Sequence, residues 1–493
     1  MGDTPLIAVQ DLSKTVNARK LFHNFSFGIF AKEKIGVIGP NGSGKSSLMK
    51  IMAGVDAPDK GIRALQKGVI VGYLPQNLDF QNCTTAQDYM RLKLKSFASS
   101  NEEIDHQIAI ALNRLGLSSD AVITTLSGGW QKRLAIATEL ALKPQVLLMD
   151  EPTNHLDFEG IRWLEKELRQ FTGAFLTITH DRAFLEAVCN QMVEIHHRYQ
   201  DGYFACPGNY SLFLQKRADY LASLNQLEQV LANKVRREIE WLRRGPKART
   251  TKSKARIQSA YALQDDLQET RDQLRSDKAL IEFSAGEKMS KEMVVAKNIS
   301  YSVGEKDIFK DFDFNLRRKE RIGLVGGNGS GKSTLLRLLT GKIQPTSGSI
   351  ERADNANVVY FEQNRDTLKF DKTLQENLSP DSDTVILQGR AIHVASYARR
   401  FLFAPHHLNL PVHRLSGGEQ ARLLIAKLML EPCDVLLLDE PTNDLDIDTM
   451  EILSENLMAF PGAVILVSHD RYFLDQICEK FLILEPGNAP PYF

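Results

Sequence analysis

Short, uniformly apolar runs punctuate this chain, and each ends on glycines, carboxylates or a histidine: IGVIG at 35–39, QVLLMD at 145–150 and AFLTITH at 174–180. The pattern returns as RIGLVG at 321–326, DVLLLD at 434–439 and AVILVSH at 463–469. Runs of this length without polar alternation predict strands of a sheet covered by helices on both faces; a buried helix segment has the same hydropathy but lacks the punctuation. A different pattern separates the two sets. Tyr220, Leu224, Leu227, Leu231, Val235, Ile239 and Leu242 fall at steps of three or four, which predicts an amphipathic helix stopped by Gly245 and Pro246. Ile257, Ala260, Leu263, Leu267 and Leu274 resume the pattern, so the stretch from about 210 to 285 reads as an antiparallel helical hairpin with its tip near Gly245.

The repeat extends to sequence motifs. GPNGSGKSS at 39–47 returns as GGNGSGKST at 326–334, LSGG at 126–129 returns at 415–418, and DEPTN at 150–154 returns at 439–443. Ser127 precedes Asp150 by 23 positions, as Ser416 precedes Asp439, and Glu151 precedes His180 by 29, as Glu440 precedes His469. A fixed order with fixed spacing divides the chain into residues 1–205, a hairpin linker at 206–290, and residues 291–493.

Composition narrows the function classes. Lys plus Arg and Asp plus Glu both total 61, so no global charge marks a nucleic-acid or membrane binder. The imbalance is local: residues 231–260 hold ten Lys or Arg against Glu238 and Glu240, a net charge of +8. Arg243, Arg244, Lys247, Arg249, Lys252 and Lys254 flank the expected tip, and Trp241, one turn before it, is expected to pack within the hairpin, with stacking on a base as the alternative. No apolar run reaches the roughly 20 residues of a membrane helix, and the N-terminus has no signal-peptide pattern. Five scattered cysteines form no CxxC pair, which argues against a disulfide framework or a zinc site and makes a cytoplasmic location the expectation. The histidine pairs His196–His197 and His406–His407 lack ligand partners at metal spacing and are expected at the surface.

The motifs carry phosphate chemistry. Gly39, Pro40, Asn41, Gly42, Ser43, Gly44, Lys45, Ser46 and Ser47, and again Gly326, Gly327, Asn328, Gly329, Ser330, Gly331, Lys332, Ser333 and Thr334, form glycine loops whose backbone N–H groups can surround phosphates ahead of a helix N-terminus. Lys45 and Lys332 neutralise the β and γ phosphates of a purine nucleotide, and the Ser46 and Ser333 hydroxyls suit Mg²⁺. Asp150 and Asp439 suit the same ion, while Glu151 and Glu440 can polarise an attacking water. His180 and His469 are placed to sense a γ-phosphate; Gln76 and Gln363, also after apolar runs, can reach metal or water. Ser127, Gly128 and Gly129, and Ser416, Gly417 and Gly418, open helices and can approach phosphate closely.

Together these motifs resemble a tandem ATP-binding cassette protein over nearly the whole chain, and DEPTNHLD, DEPTNDLD and the linker EIEWLRRGPKARTTKSKAR look like the soluble ABC-F proteins, most closely the Uup branch. The resemblance implies an α/β fold of two cassettes joined by a helical hairpin, and an ATPase requiring Mg²⁺. It also implies composite sites: Lys45, Ser46, Gln76, Asp150, Glu151 and His180 facing Ser416–Gly418 of the other cassette, and Lys332, Ser333, Gln363, Asp439, Glu440 and His469 facing Ser127–Gly129. In that family the linker reaches ribosomal RNA near tRNA, so the expected partner is the ribosome, with a translation or ribosome-protection role, monomeric through intramolecular cassette pairing. Val16 and Val303 stand where an aromatic residue usually stacks on adenine, with Tyr301 near the second. The sequence given ends at Phe493, where a C-terminal coiled coil for DNA contact is not expected. A DNA-maintenance protein and the ATPase subunit of a transporter are the alternatives, and the basic linker argues against the latter.

Overall fold

The computed structural model describes residues 4–484 apart from 17–18, 81–82, 96–99, 244–259, 265, 269, 272–291, 305, 328, 354–355, 362–367, 388–389 and 444. In the first cassette the apolar runs become a six-stranded sheet in the order Val71–Leu74, Val146–Asp150, Ala174–Ile178, Lys34–Ile38, Gln191–Ile195 and Tyr203–Pro207, parallel except for the last strand. That last strand crosses position 205, so the sheet runs two residues into the stretch read as linker. The second cassette repeats the order with Val358–Phe361, Val435–Asp439, Ala463–Val467, Arg321–Val325 and Lys480–Ile483, all parallel. Val146, Leu147, Leu148 and Met149 are each at most 1% exposed, because helices cover both faces. One such helix, Phe158–Gln170, turns Ile161, Leu164 and Leu168 inward and is capped by Asp157, which accepts the Gly160 N–H at 2.9 Å.

A three-stranded antiparallel sheet stands beside each parallel one: Arg19–Ile29, Ile7–Val16 and Lys60–Leu65 in the first cassette, Lys306–Arg317, Glu292–Val303 and Ser347–Arg352 in the second. The repeat is also written in the backbone, since the left-handed residues Asp11, Asn24, Lys32 and Glu151 recur as Asn298, Asp311, Lys319 and Glu440. Buried apolar residues of both cassettes, Phe184 and Leu185 with Leu453 and Phe473 among them, belong to one connected core.

The first hairpin arm is a single helix, Tyr210–Arg243. Leu231 and Val235 pack with Leu267, Leu263 and Ile239, and Arg271 meets Glu228 at 2.8 Å, so the second arm returns antiparallel over residues 260–271. Leu227, read as part of the buried stripe, is 47% exposed and lies outside the stripe that Leu224, Leu231, Val235 and the half-buried Ile239 form. Gly245, Pro246, Arg244, Lys247, Arg249, Lys252, Lys254, Ile257 and Leu274 lie outside the described residues, as do the side chains of Trp241 and Arg243.

Candidate functional site

Both glycine loops connect a central strand to a helix, Lys45–Ala53 or Lys332–Thr340. The turn depends on Gly44 at φ +97° and Gly331 at φ +95°, where a Cβ would also lie 2.6 Å from Phe22 and 2.5 Å from Ile308. Lys45 Nζ donates to the Gly39 and Pro40 carbonyls at 2.6 and 3.0 Å, and Lys332 Nζ to those of Gly326 and Gly327 at 2.7 and 3.0 Å. Burial lowers the pKa of both ammonium groups, against the carboxylates of Asp446, Glu151 and Asp150 for Lys45, and of Glu440 and Asp439 for Lys332. The hydroxyls of Ser43 and Ser330 are buried without a hydrogen-bond partner, which is what a loop shaped for phosphate oxygens leaves. Gly42, Gly44, Ser46 and Ser47 line the first cavity; Gly329 at φ +78° and Thr334 on the second helix keep the equivalent turn, and Asn328 lies outside the described residues.

Ser46 hydrogen-bonds Asp150, whose pKa burial raises and whose Oδ1 has no partner. A hydroxyl beside an unsaturated carboxylate oxygen, with Gln76 in the same cavity, is a donor set that fits Mg²⁺. Its counterpart Asp439 accepts from Tyr360 Oη at 3.1 Å, with Ser333 in the first turn of its helix; Gln363 lies outside the described residues. Glu151 and Glu440 hold φ of 47° and 50°, a left-handed conformation that costs energy outside glycine and is kept at the same motif position in both copies. His180 Nε2 lies 3.4 Å from Glu151 Oε1, and His469 Nε2 lies 3.3 Å from Glu440 Oε1. Burial, and then the neighbouring lysine, pushes His180 down to about 3 and His469 down to about 4, so both rings are neutral near pH 7. Burial and Asp439 push Glu440 up to about 8.

The two cassettes meet face to face. A cavity of about 970 Å³ joins Lys45, Ser46, Gln76, Asp150, Glu151 and His180 to Ser416 of the opposite cassette. Ser416 caps the helix Gly417–Leu428 through a reciprocal pair with Glu419. Gly418 lies so close to Asn41 that an added Cβ would stand 1.9 Å from its Nδ2, and the Asn41 N–H donates to Asp446 at 2.8 Å. A second cavity, of about 340 Å³, joins Ser127, Gly128 and Gly129 to Glu440 and His469; Lys332 and Ser333 are not among its walls. Arg182 grips the second cassette through the Ile447 carbonyl at 3.3 Å and Glu451 at 3.6 Å, and its repeat mate Arg471 reaches Glu165 at 3.5 Å.

Several of these residues escape a reading by motif. Tyr73 and Tyr360 occupy one place in VGYLPQN and VVYFEQN, a signal visible only through the repeat, yet Tyr360 reaches Asp439 while the buried Tyr73 hydroxyl has no hydrogen-bond partner. Lys132, 3% exposed, directs Nζ toward the Gln76 and Pro75 carbonyls at 3.4 and 3.5 Å, and the second cassette has Ala421 there. The histidine pairs are not simply surface residues. His196 is buried and accepts the Arg198 N–H at 3.0 Å, while His406 and His407 line the larger cavity. Val16 lines that cavity too; Tyr301 packs against the apolar core of its own cassette.

Fold and site define a two-cassette ATPase whose glycine-loop faces meet. Residues 22–154 and 309–443, more than half of the chain, match the ABC transporter family. The chain is 35% identical to the ATP-binding protein Uup of Escherichia coli K12, over 95% of this chain and 78% of that one. It is 34% identical to the energy-dependent translational throttle protein EttA of Haemophilus influenzae, over 94% and 89% of the two chains. Among solved structures, the RNase-L Inhibitor aligns with a TM-score of 0.60 at 21% identity over 98% of this chain and 90% of that one, a likeness of fold. This chain belongs to the ABC-F family of ATP-binding cassette ATPases. Among the described residues no helix is long and apolar enough to cross a membrane.

Proposed function

We propose that the protein couples ATP-driven pairing of its cassettes to binding of the ribosome in the cytoplasm, with the basic hairpin as the RNA-contacting element. The observation that carries this reading is at the hairpin base. Arg217, two turns into the helix Tyr210–Arg243, lies 3.0 Å from the buried Glu194 of the first cassette and 4.0 Å from Asp448 of the second. Asp448 stands two residues after Asp446, which takes the N–H of the glycine-loop residue Asn41. A change in how the cassettes meet therefore changes what holds the hairpin. The relative EttA, a translational throttle by name, supports ribosomal RNA as the hairpin's target, as does the +8 charge of residues 231–260.

In this reading each nucleotide is shared. Lys45 and its loop hold the phosphates of one ATP against Ser416, Gly417 and Gly418; Lys332 and its loop hold the other against Ser127, Gly128 and Gly129. Ser46, Gln76 and Asp150 in one site, and Ser333, Gln363 and Asp439 in the other, would hold Mg²⁺, which supplies positive charge to the transferring phosphoryl group. Glu151 and Glu440 orient the attacking water, and the neutral rings of His180 and His469 contact the γ-phosphate and register its loss. Co-sedimentation with ribosomes, with and without ATP and with branched DNA as competitor, tests the reading: ATP-dependent pelleting that DNA does not abolish is expected, whereas nucleotide-independent pelleting, or its loss to DNA, favours the DNA-maintenance alternative.

A further inference from the structure

The larger cavity is lined by Lys45 and Ser46 of the glycine loop and its helix, and also by Val16 and Leu21 of the antiparallel sheet. Neither Val16 nor Leu21 offers a ring face, so the first cassette gives a base lying there apolar contact but nothing that fixes its plane. The opposite wall belongs to the second cassette, where His406 and His407 arrive on one short helical turn, Pro405–His407, and His413 and Arg414 on another, Val412–Arg414. His407 is engaged within its own cassette, 3.9 Å from Glu419 and edge-on to Phe403. His413 and Arg414 are exposed in the cavity; the His413 Nδ1 lies 3.2 Å from the Phe370 carbonyl, and the Arg414 guanidinium makes no ion pair among the described residues.

We propose that His413 and Arg414 recognise the nucleoside end of the ATP held by the glycine loop of the first cassette. They stand three and two residues before Ser416, whose place is at the γ-phosphate, so the chain runs back from the phosphates toward the base. A guanidinium plane and an imidazole both stack on a purine, and this supplies from the opposite cassette the flat contact that Val16 cannot give. Because a carbonyl oxygen only accepts, His413 Nδ1 donates to Phe370, which leaves Nε2 as the ring atom free to meet a polar group of adenosine.

The second site is built differently. The isolated bridges Thr85–Val122 and Thr373–Pro411 set the two cassettes in register, which places Thr124 and Thr125 where His413 and Arg414 stand. The two ATP sites are thus unequal in how they hold the base, and the first gains its base contact only when the cassettes pair. The inference rests on the shared-nucleotide reading and not on ribosome binding.

The test is equilibrium binding in the Glu151→Gln/Glu440→Gln protein, with ATP and with inorganic tripolyphosphate, which has no nucleoside. Adding His413→Thr and Arg414→Thr should weaken ATP about three- to thirtyfold at one of the two sites, the range expected when a cation–π interaction is removed. The other site and tripolyphosphate binding should not change. Unchanged ATP binding, equal weakening at both sites, or tripolyphosphate weakened in step with ATP would overturn the proposal, the last because it would make these side chains phosphate or structural contacts. A failure of the ribosome reading would leave all of these values untouched.

Discussion

The backbone N–H of Asn41, in the first glycine loop, donates at 2.8 Å to the carboxylate of Asp446, 405 residues further along the chain. Burial alone would raise the Asp446 pKa, but Arg422, Thr449 and this N–H hold it below the ordinary carboxylate value, so the acceptor is charged at neutral pH. The loop that is to hold phosphate therefore already touches the other cassette.

Gly418→Ala tests that contact. The added Cβ would overlap Asn41, so turnover at the Lys45 site should fall at least tenfold although the substitution lies in the other cassette. Steady-state ATPase assays with Glu440→Gln silencing the second site report it, and wild-type turnover would show that the cassettes do not close on this glycine.

Glu151→Gln with Glu440→Gln should leave ATP bound and unhydrolysed. A group that acts mainly in the transition state affects kcat far more than affinity, and a fall of about a hundredfold or more is expected in single-turnover assays.

The titration of Glu440 gives a pH signature. Its folded pKa, about 8, lies above its ordinary value of 4.5, so between those values the folded state holds a proton the unfolded state has lost, and stability falls as pH rises. His469, lowered from 6.5 to about 4, acts oppositely but only below 6.5. From pH 6.5 to 8 Asp181, raised to about 7, and Lys132, lowered to about 8, also titrate, but they do so in both proteins, so the difference between Glu440→Gln and wild type isolates the Glu440 effect, about 2 kcal/mol at most. Glu440→Gln should thus gain thermal stability relative to wild type across that window in the absence of nucleotide; parallel melting profiles would refute the protonated carboxyl.

Much of this was legible in the sequence because the chain states it twice. Parallel strands read directly, since Val146–Asp150 and Val435–Asp439 are buried on both faces and have no polar alternation to confuse the pattern. The glycine loops and carboxylates read equally well, because phosphate chemistry restricts which residues fit. Contacts between cassettes were not legible. Arg217 carries no local pattern, and although Asp446 closes DEPTNDLD and Arg182 recurs as Arg471, their partners are set by docking of surfaces hundreds of residues apart. His406 misled for the same reason, being exposed on its own cassette and acquiring a setting only in the cavity between the two.

Replacing Arg243, Arg244, Lys247, Arg249, Lys252 and Lys254 with Gln should separate binding from catalysis. Basal ATPase should stay near wild type, since none of the six belongs to a nucleotide-binding motif, while ribosome association weakens. Each phosphate that is no longer neutralised should reduce the slope of log K against log salt by about 0.7 on single-stranded RNA. Sedimentation across a salt series measures both, and unchanged affinity and slope would remove the hairpin as the RNA-binding element.

The most direct test of ATP-driven ribosome binding is a cryo-EM structure of the Glu151→Gln/Glu440→Gln protein trapped with ATP on ribosomes. The account predicts closed cassettes with two ATP molecules between them and the hairpin tip, around residues 244–259, against ribosomal RNA. A protein bound through another face with its hairpin in solvent, or one that ATP does not retain on the ribosome, would contradict it.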